Sequence, residues 1–199
     1  EVVVVSGHLD SWDLGTGAID DGAGCAIAIE AARLIAASPR RPRRTIRVVL
    51  FANEESGGAG GRTYAERHAA ELPKHAAAFE ADSGTGTPLG FSWNAAGSLE
   101  PALAAVAELL RPLGAEGLRK GGYGGVDVAP MAPAGVPLLG LRQETGSYFD
   151  VHHSADDTFD KIEPASLDRA AAAMAAMAYA VADLPEIHAR PVDSAAGPR

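Results

Sequence analysis

This sequence contains histidine and acidic residues at positions from which they could together bind a metal ion. They fall in five short stretches, which are His8-Leu9-Asp10, Asp20-Asp21, Asn53-Glu54-Glu55, Asp82 and His152-His153. Imidazole and carboxylate ligands together suit zinc and similar divalent ions. The single cysteine, Cys25, leaves no set of thiolates for a closed structural zinc site. These residues therefore favour a catalytic site in which one coordination position is left for water.

The hydrophobic pattern indicates which elements must bring these residues together. It predicts buried strands at 2–5, 45–52 and 136–141, further strands at 76–81 and 89–94, and helices at 25–37, 62–71, 99–113 and 166–184. Alternating strands and helices predict an α/β sandwich with a mainly parallel sheet. Sheets of this kind place their active sites at the carboxyl ends of the strands. Because the five stretches follow predicted strands, we expect them to meet at one edge of the sheet.

Each candidate residue also has an ordinary structural explanation. An aspartate in a glycine-rich loop, such as Asp20 or Asp21, commonly caps a helix or forms a turn. The pair Glu54-Glu55 could begin a solvated loop, and an isolated histidine such as His75 is expected at the surface. The convergence of four strand ends is harder to attribute to surface composition. It favours a metal site, with the number of ions left open.

Charge and composition narrow the class of partner. Acidic residues number 26 and basic residues 17, which gives a formal net charge of −9. This balance argues against nucleic acid or an anionic membrane as the main partner. No apolar run approaches the roughly 20 residues that span a bilayer. We therefore expect a globular protein with no nucleic-acid partner and no membrane span.

Four motifs, in this order and at this spacing, resemble those of a known enzyme family. They are VSGHLDSWDLGTGAIDDGAG at 5–24, NEE at 53–55, EADSG at 80–84 and HHSADDT at 152–158. The sequence resembles the co-catalytic di-zinc exopeptidases, which include the bacterial leucyl aminopeptidases and plasma glutamate carboxypeptidase, and it is most similar to the second branch. The resemblance implies the zinc-peptidase fold, a three-layer α/β sandwich in which helices flank a mainly parallel mixed sheet.

The resemblance implies two zinc ions per chain. Their ligands would be His8, Asp20, Glu55, Asp82 and His153. Asp20 would bridge the two ions. His8 and Asp82 would complete one site, and Glu55 and His153 would complete the other.

Further residues would act around the metals. Glu54 would be the general acid/base that takes the water proton and delivers it to the leaving amine. Asp10 would orient the imidazole of His8, a common arrangement in zinc sites. The bacterial aminopeptidases commonly have a tyrosine where this sequence has His152. His152 could donate a hydrogen bond to the oxyanion instead, as could Tyr148 from the same loop.

The sequence departs from the family at its N-terminus. Family members normally have strands and a helix before the first histidine ligand, and the plasma carboxypeptidase branch also has a protease-associated domain inserted upstream. Neither is present, so we predict that residues 1–186 form the catalytic domain of a longer protein, with the N-terminal part of the fold missing. Residues 187–199 are predicted to form a tail. The resemblance also implies a secreted or periplasmic location and a possible homodimer.

The expected reaction is hydrolysis of small peptides, especially dipeptides, from the free amino end by a metal-bridging hydroxide. A glutamate-type carboxypeptidase at the same site is an alternative, because Arg142 and Lys120 could bring a cation to a terminal carboxylate. A related one-zinc enzyme such as glutaminyl cyclase is a second alternative, against which the full ligand set argues. The third is a non-catalytic binding module on the same fold, in which loss of ligands would be expected.

Overall fold

A six-stranded mixed sheet forms the centre of the computed structural model, which describes residues 1–97, 99–187 and 189–190. The strands in chain order are β1 (Val2–His8), β2 (Thr45–Phe51), β3 (His75–Glu80), β4 (Pro88–Asn94), β5 (Ala96–Gly97), β6 (Gly117–Lys120), β7 (Leu138–Gln143) and β8 (Ala189–Arg190). The sheet order is β2-β1-β3-β7-β4-β6, and β5 pairs separately with β8. Strands β2, β1, β3 and β7 are parallel neighbours, whereas β4 runs antiparallel to β7 and parallel to β6.

Helices cover both faces of the sheet. They are α1 (Ala23–Ala37), α2 (Ala59–Arg67), α3 (Leu99–Leu109), α4 (Tyr148–Val151) and α5 (Pro164–Asp183), and shorter helical turns lie at Ala18–Gly22, Leu72–Lys74, Arg111–Leu113, Ala129–Ala134 and Phe159–Lys161. Within the described residues, none of these helices has the length and apolar character needed to cross a bilayer.

Strand β1 shows why the sheet is buried on both sides. Val3 and Val5 point into a core shared with α1, α3 and α5, while Val2 and Val4 point into a second core with α2. A strand with apolar side chains on both faces belongs in the middle of a three-layer sandwich. The predicted α/β sandwich with a mainly parallel mixed sheet is therefore confirmed.

Two segments differ from the sequence-based expectation. Strand β6 is not among the predicted strands, because its four residues, Gly-Leu-Arg-Lys, lie at the sheet edge and lack a buried apolar run. Ile187 packs against the core and Ala189–Arg190 pairs with β5, so folded structure extends beyond the predicted boundary at 186. The rest of the predicted tail, His188 and 191–199, lies outside the described residues.

His75 is buried at the start of β3, which corrects the expectation that it lies at the surface. The hydroxyl of Tyr64 is 2.9 Å from its Nε2, and Nδ1 is 3.2 Å from the main-chain oxygen of Glu71. Arg47 completes the cluster with a two-point ion pair to Glu71 and a hydrogen bond to the Tyr64 hydroxyl. This polar cluster ties β2, α2 and β3 together away from the carboxyl edge of the sheet.

Candidate metal centre

The carboxyl ends of the parallel strands bring the candidate ligands together. His8 is the last residue of β1, while Glu54 and Glu55 follow β2 and Asp82 follows β3. His153 lies in the loop after β7 and α4. Because these strands run in the same direction, their loops leave the same edge of the sheet. The sequence-predicted convergence is therefore observed.

Asp20 lies between two histidines. One carboxylate oxygen is 3.3 Å from His8 Nε2, and the other is 3.3 Å from His153 Nε2. Asp82 Oδ1 is 3.7 Å from the nitrogen of His8, and Glu55 Oε2 is 2.9 Å from that of His153. Two ligand groups therefore share Asp20, and the candidate atoms within each group lie within 4.8 Å of one another.

These distances and the unpaired atoms fit a zinc site. Ligand atoms about 2 Å from a tetrahedral zinc ion lie roughly 3.3 Å apart. His8 Nε2 and Glu55 Oε1 are buried and have no hydrogen-bond partner in the described part of the chain, which is costly unless another species binds them. His8 Nδ1 is 3.0 Å from the main-chain oxygen of Asp10, so Nδ1 carries the proton and Nε2 is free to bind a metal.

The charge balance also favours a bound cation. Burial alone would lower the pKa of His8, but the nearby carboxylates of Asp20 and Asp82, together with the charge of Asp21, raise this pKa to about 12. The surrounding carboxylates therefore stabilise a positive charge at this position more strongly than burial opposes it. A divalent ion would supply that positive charge.

Asp10 makes a different contact from the one expected. Its Oδ1 is 3.8 Å from His8 Nδ1, and it is the main-chain carbonyl that orients the ring. The carboxylate instead accepts hydrogen bonds from the N–H groups of Glu54, at 3.0 Å, and Glu55, at 3.2 Å. A carboxylate can accept from two adjacent N–H groups at once, so Asp10 fixes the turn that carries both glutamates.

Glu54 faces the same cavity without belonging to either of the groups that share Asp20. Its Oε2 is 3.9 Å from His8 Nε2, and with His8 and Glu55 it could form a third, overlapping group. Burial is the largest cause of a rise in the pKa of Glu54 to about 7; the charges of Asp82 and Glu55 add to the rise and His8 opposes it. A carboxyl group with a pKa near neutrality can both accept and release a proton.

Two further aspartates hold the loop that presents Asp20. Asp157 is buried and accepts hydrogen bonds from the N–H of Asp20, at 3.1 Å, and of the preceding residue, at 2.6 Å. Asp21 accepts from the N–H of His8 and of Gly24, which ties the end of β1 to the first turn of α1. The peptide bond between Asp20 and Asp21 is cis. Asp21 therefore has a structural role in the turn before α1, while Asp20 faces the histidines.

Trp12 is a site residue that the sequence analysis did not identify. Its Nε1 donates a hydrogen bond to Glu55 Oε2 at 2.9 Å, and its ring stacks on that of His153 at a centroid distance of 4.7 Å. Its place within the first motif, four residues after His8, is the only sequence signal that points to it. Trp12 thus contacts both side chains that would complete one metal site with Asp20.

His152 and Tyr148 both line a cavity of about 430 Å³ over the centre. The ring of His152 stacks on that of His153 at 4.2 Å, and its Nδ1 is buried with no partner in the described part of the chain. Burial would raise the pKa of Asp20, but His8 and, to a smaller extent, His153 and Tyr148 lower it. The side chains of His152 and Tyr148 both face the space in which a substrate would lie, so either remains a predicted hydrogen-bond donor to the oxyanion.

Comparisons with known proteins agree with this geometry. The model of Peptidase family M28 matches residues 1–178. Carboxypeptidase Q of Mus musculus is 43% identical over 187 residues, covering 94% of this chain and 40% of its own length. The human carboxypeptidase Q is 39% identical over the same length. The chain thus spans about two fifths of the length of these curated relatives.

Solved structures give the same result. The crystal structure of a Peptidase M28 precursor from Shewanella amazonensis aligns with a TM-score of 0.91 and 44% identity, covering 96% of this chain and 44% of that one. A zinc aminopeptidase from Bacillus subtilis aligns with a TM-score of 0.69 over 94% of this chain and 50% of its own, and at 22% identity it supports the fold alone. The resemblance inferred from the four motifs is confirmed, and the chain belongs to peptidase family M28.

Proposed function

We propose that this chain carries the catalytic centre of a di-zinc exopeptidase that releases the N-terminal residue from small peptides, especially dipeptides. The observation that carries the proposal is the position of Asp20, whose two carboxylate oxygens lie at equal distances from His8 and His153. Family membership and the set of imidazole and carboxylate ligands support zinc as the metal. The number of ions, the bridging hydroxide and the substrate class belong to this proposal.

The residues can be assigned to steps of peptide hydrolysis. Zinc bound by the five ligands would polarise the scissile carbonyl and lower the pKa of a bound water. Glu54, whose pKa is about 7, would accept a proton from the attacking water and return it to the leaving amine. Asp10 keeps this carboxyl in place through the N–H of Glu54. His152 or Tyr148 donates a hydrogen bond to the oxyanion.

A dipeptide panel with and without added zinc tests the proposal. We expect zinc-dependent release of the N-terminal residue, and we expect Glu54→Ala to lower kcat by about 10²- to 10⁴-fold because the proton carrier is lost. Glu66→Ala, a matched change at an exposed glutamate of α2, is the control. Undiminished activity of Glu54→Ala would rule out the proposed role of this residue.

Metal analysis of the same protein tests the number of ions. Two zinc ions per chain are expected, and Asp20→Asn should reduce binding at both sites because both groups use this carboxylate. One zinc ion per chain would overturn the di-zinc proposal in favour of a one-zinc enzyme. Zinc binding without hydrolysis of any peptide would favour a non-catalytic binding module.

Location and assembly are part of the same proposal. The proposed site of action is outside the cell or in the periplasm, and the similar Shewanella protein is itself a precursor. A homodimer is the proposed assembly. Fractionation of cells that make the protein and light scattering of the purified chain test these two points.

A further inference from the structure

A second cavity, of about 360 Å³, opens beside the metal centre. Its walls include the candidate ligand Asp82, the neighbouring Glu80, and two arginines, Arg119 on β6 and Arg142 on β7. Asp82 also lines the cavity over the metal centre, so the two spaces adjoin at this side chain. The second cavity is therefore positioned to take a part of a substrate that is held at the metals.

The register of three strands explains why there is space here. On the face that forms the floor, one row consists of Gly90, Gly117 and Arg142, and the next of Ser92, Arg119 and Gly140. Paired residues in neighbouring strands point to the same face, so the floor carries almost no side chain apart from the two arginines. On the opposite face the same strands bury Phe91 and Leu141 in the core.

The two arginines have no internal counter-ion. Within the described residues, neither guanidinium forms an ion pair or a side-chain hydrogen bond, whereas Arg47, for example, pairs with Glu71. Glu80 uses one carboxylate oxygen to accept two N–H groups of the loop that closes the cavity. A chain of net charge −9 thus leaves two cations free in one cavity. Guanidinium groups bind carboxylates through paired hydrogen bonds, so this end of the cavity favours an anionic group.

We infer that Arg119 and Arg142 are specificity residues that bind a carboxylate of the peptide substrate. The carboxylate can be that of the C-terminus or that of an acidic side chain, since both offer the same acceptor geometry. This inference rests on the proposed peptidase function and deepens it by naming the substrate class. A peptide bound in this way would extend from Asp82 and the other candidate ligands into the second cavity, towards the arginines.

Three matched pairs of peptides distinguish the two sources of the carboxylate. Ala-Ala against Ala-Ala-amide tests the C-terminus, Ala-Glu-amide against Ala-Gln-amide tests the second side chain, and Glu-Ala-amide against Gln-Ala-amide tests the first. The zinc-loaded chain is expected to prefer the anionic member of at least one pair. Arg142→Met and Arg119→Met should each lower kcat/KM for that member by about 10- to 100-fold. In the same variants, kcat/KM for the neutral member should change by no more than about 2-fold.

Arg67→Met is the control, because it removes a positive charge from the exposed end of α2, outside the cavity. Equal kcat/KM for both members of every pair, or an equal loss for both in the arginine variants, would overturn the inference and leave the peptidase function standing.

If the wild-type chain hydrolyses no peptide, the proposed function fails, and the inference is then tested by calorimetric binding of the same peptides. The anionic members should then bind more tightly to the wild type than to Arg142→Met, and equal affinities would overturn it.

Discussion

The carboxylate of Asp157 acts on the candidate metal centre through the main chain. By accepting the N–H groups of Asp20 and of the residue before it, Asp157 fixes the backbone from which the shared ligand projects. The two oxygens of Asp20 are then free to face His8 and His153. Asp157 is thus a positioning residue, since it touches neither histidine in the described structure.

We predict that Asp157→Asn lowers zinc affinity by about 10- to 100-fold, as is typical when a residue that orients a metal ligand is changed. Asparagine can accept only one of the two N–H groups with its oxygen, so the Asp20 loop loses a hydrogen bond. Competition with a chromogenic zinc chelator measures the effect. Asp156→Asn, a change of the same chemistry at the exposed neighbouring position, is the control.

Unchanged zinc affinity in a folded Asp157→Asn variant would contradict this role. Circular dichroism establishes that the variant is folded.

The sequence supports the ligand set better than it supports the residues around it. His8, Glu55 and Asp82 are of types that bind metals, and each ends or follows a strand that apolar runs already mark. The contacts of Trp12 and Asp157 depend on the path of two loops that hydrophobic periodicity does not determine. A sequence pattern therefore locates such a site more readily than it explains how the site is held.

The loop between β6 and the Ala129–Ala134 turn depends on a contact between a glycine and a buried acid. Glu80 Oε2 accepts the N–H groups of Asp127, at 3.1 Å, and Val128, at 3.0 Å. Gly125 lies directly over this carboxyl group with a φ of 156°, and a Cβ added there would collide with it. The segment that closes the arginine-lined cavity is thus fixed by β3 beneath it.

Gly125→Ala is expected to lower the free energy of unfolding by about 1–3 kcal/mol, because the new methyl group meets the Glu80 carboxyl and the φ disfavours a side chain. Gly121→Ala is the matched control: it also has a positive φ, of 84°, but no atom lies within 4 Å of its added Cβ. Denaturant unfolding of both variants separates the collision from the backbone strain. Equal losses in the two variants would contradict the proposed collision.

Secondary structure elements were predictable where burial is continuous. The strands that lead to the ligands are apolar on both faces, including β2 at the edge of the sheet, so their sequences are distinctive. Strand β6 could not be predicted, because its pairing with β4 depends on glycines that leave one face empty. The same absence of side chains that hides β6 in the sequence creates the floor of the second cavity.

At the scale of the whole molecule, pH is linked to stability through a cluster far from the metals. His75 is buried with both ring nitrogens in contact with hydrogen-bonding groups. Burial is the largest cause that lowers its pKa; a hydrogen bond to the Glu71 backbone opposes this, and the charge of Arg47 adds to it. The fold therefore favours neutral imidazole, whereas the unfolded chain takes up a proton below its ordinary pKa of about 6.5.

The free energy of unfolding is accordingly expected to fall as pH drops below about 6.5, and His75→Gln should reduce this dependence between pH 7 and pH 5. Urea unfolding in the presence of a metal chelator measures it without a contribution from zinc binding. Lys74→Gln, at the exposed adjacent position, is the control. A His75→Gln variant with the slope of the wild type would show that another group causes the dependence.

The candidate ligands come from loops separated by most of the chain, with His8 after the first strand and His153 after β7. No short segment can bind the metal as a zinc finger does, so the ligands meet only when β1, β2, β3 and β7 have assembled. Zinc is therefore expected to join at the end of the folding reaction. Stopped-flow measurements should show that zinc slows unfolding strongly while leaving the folding rate nearly unchanged.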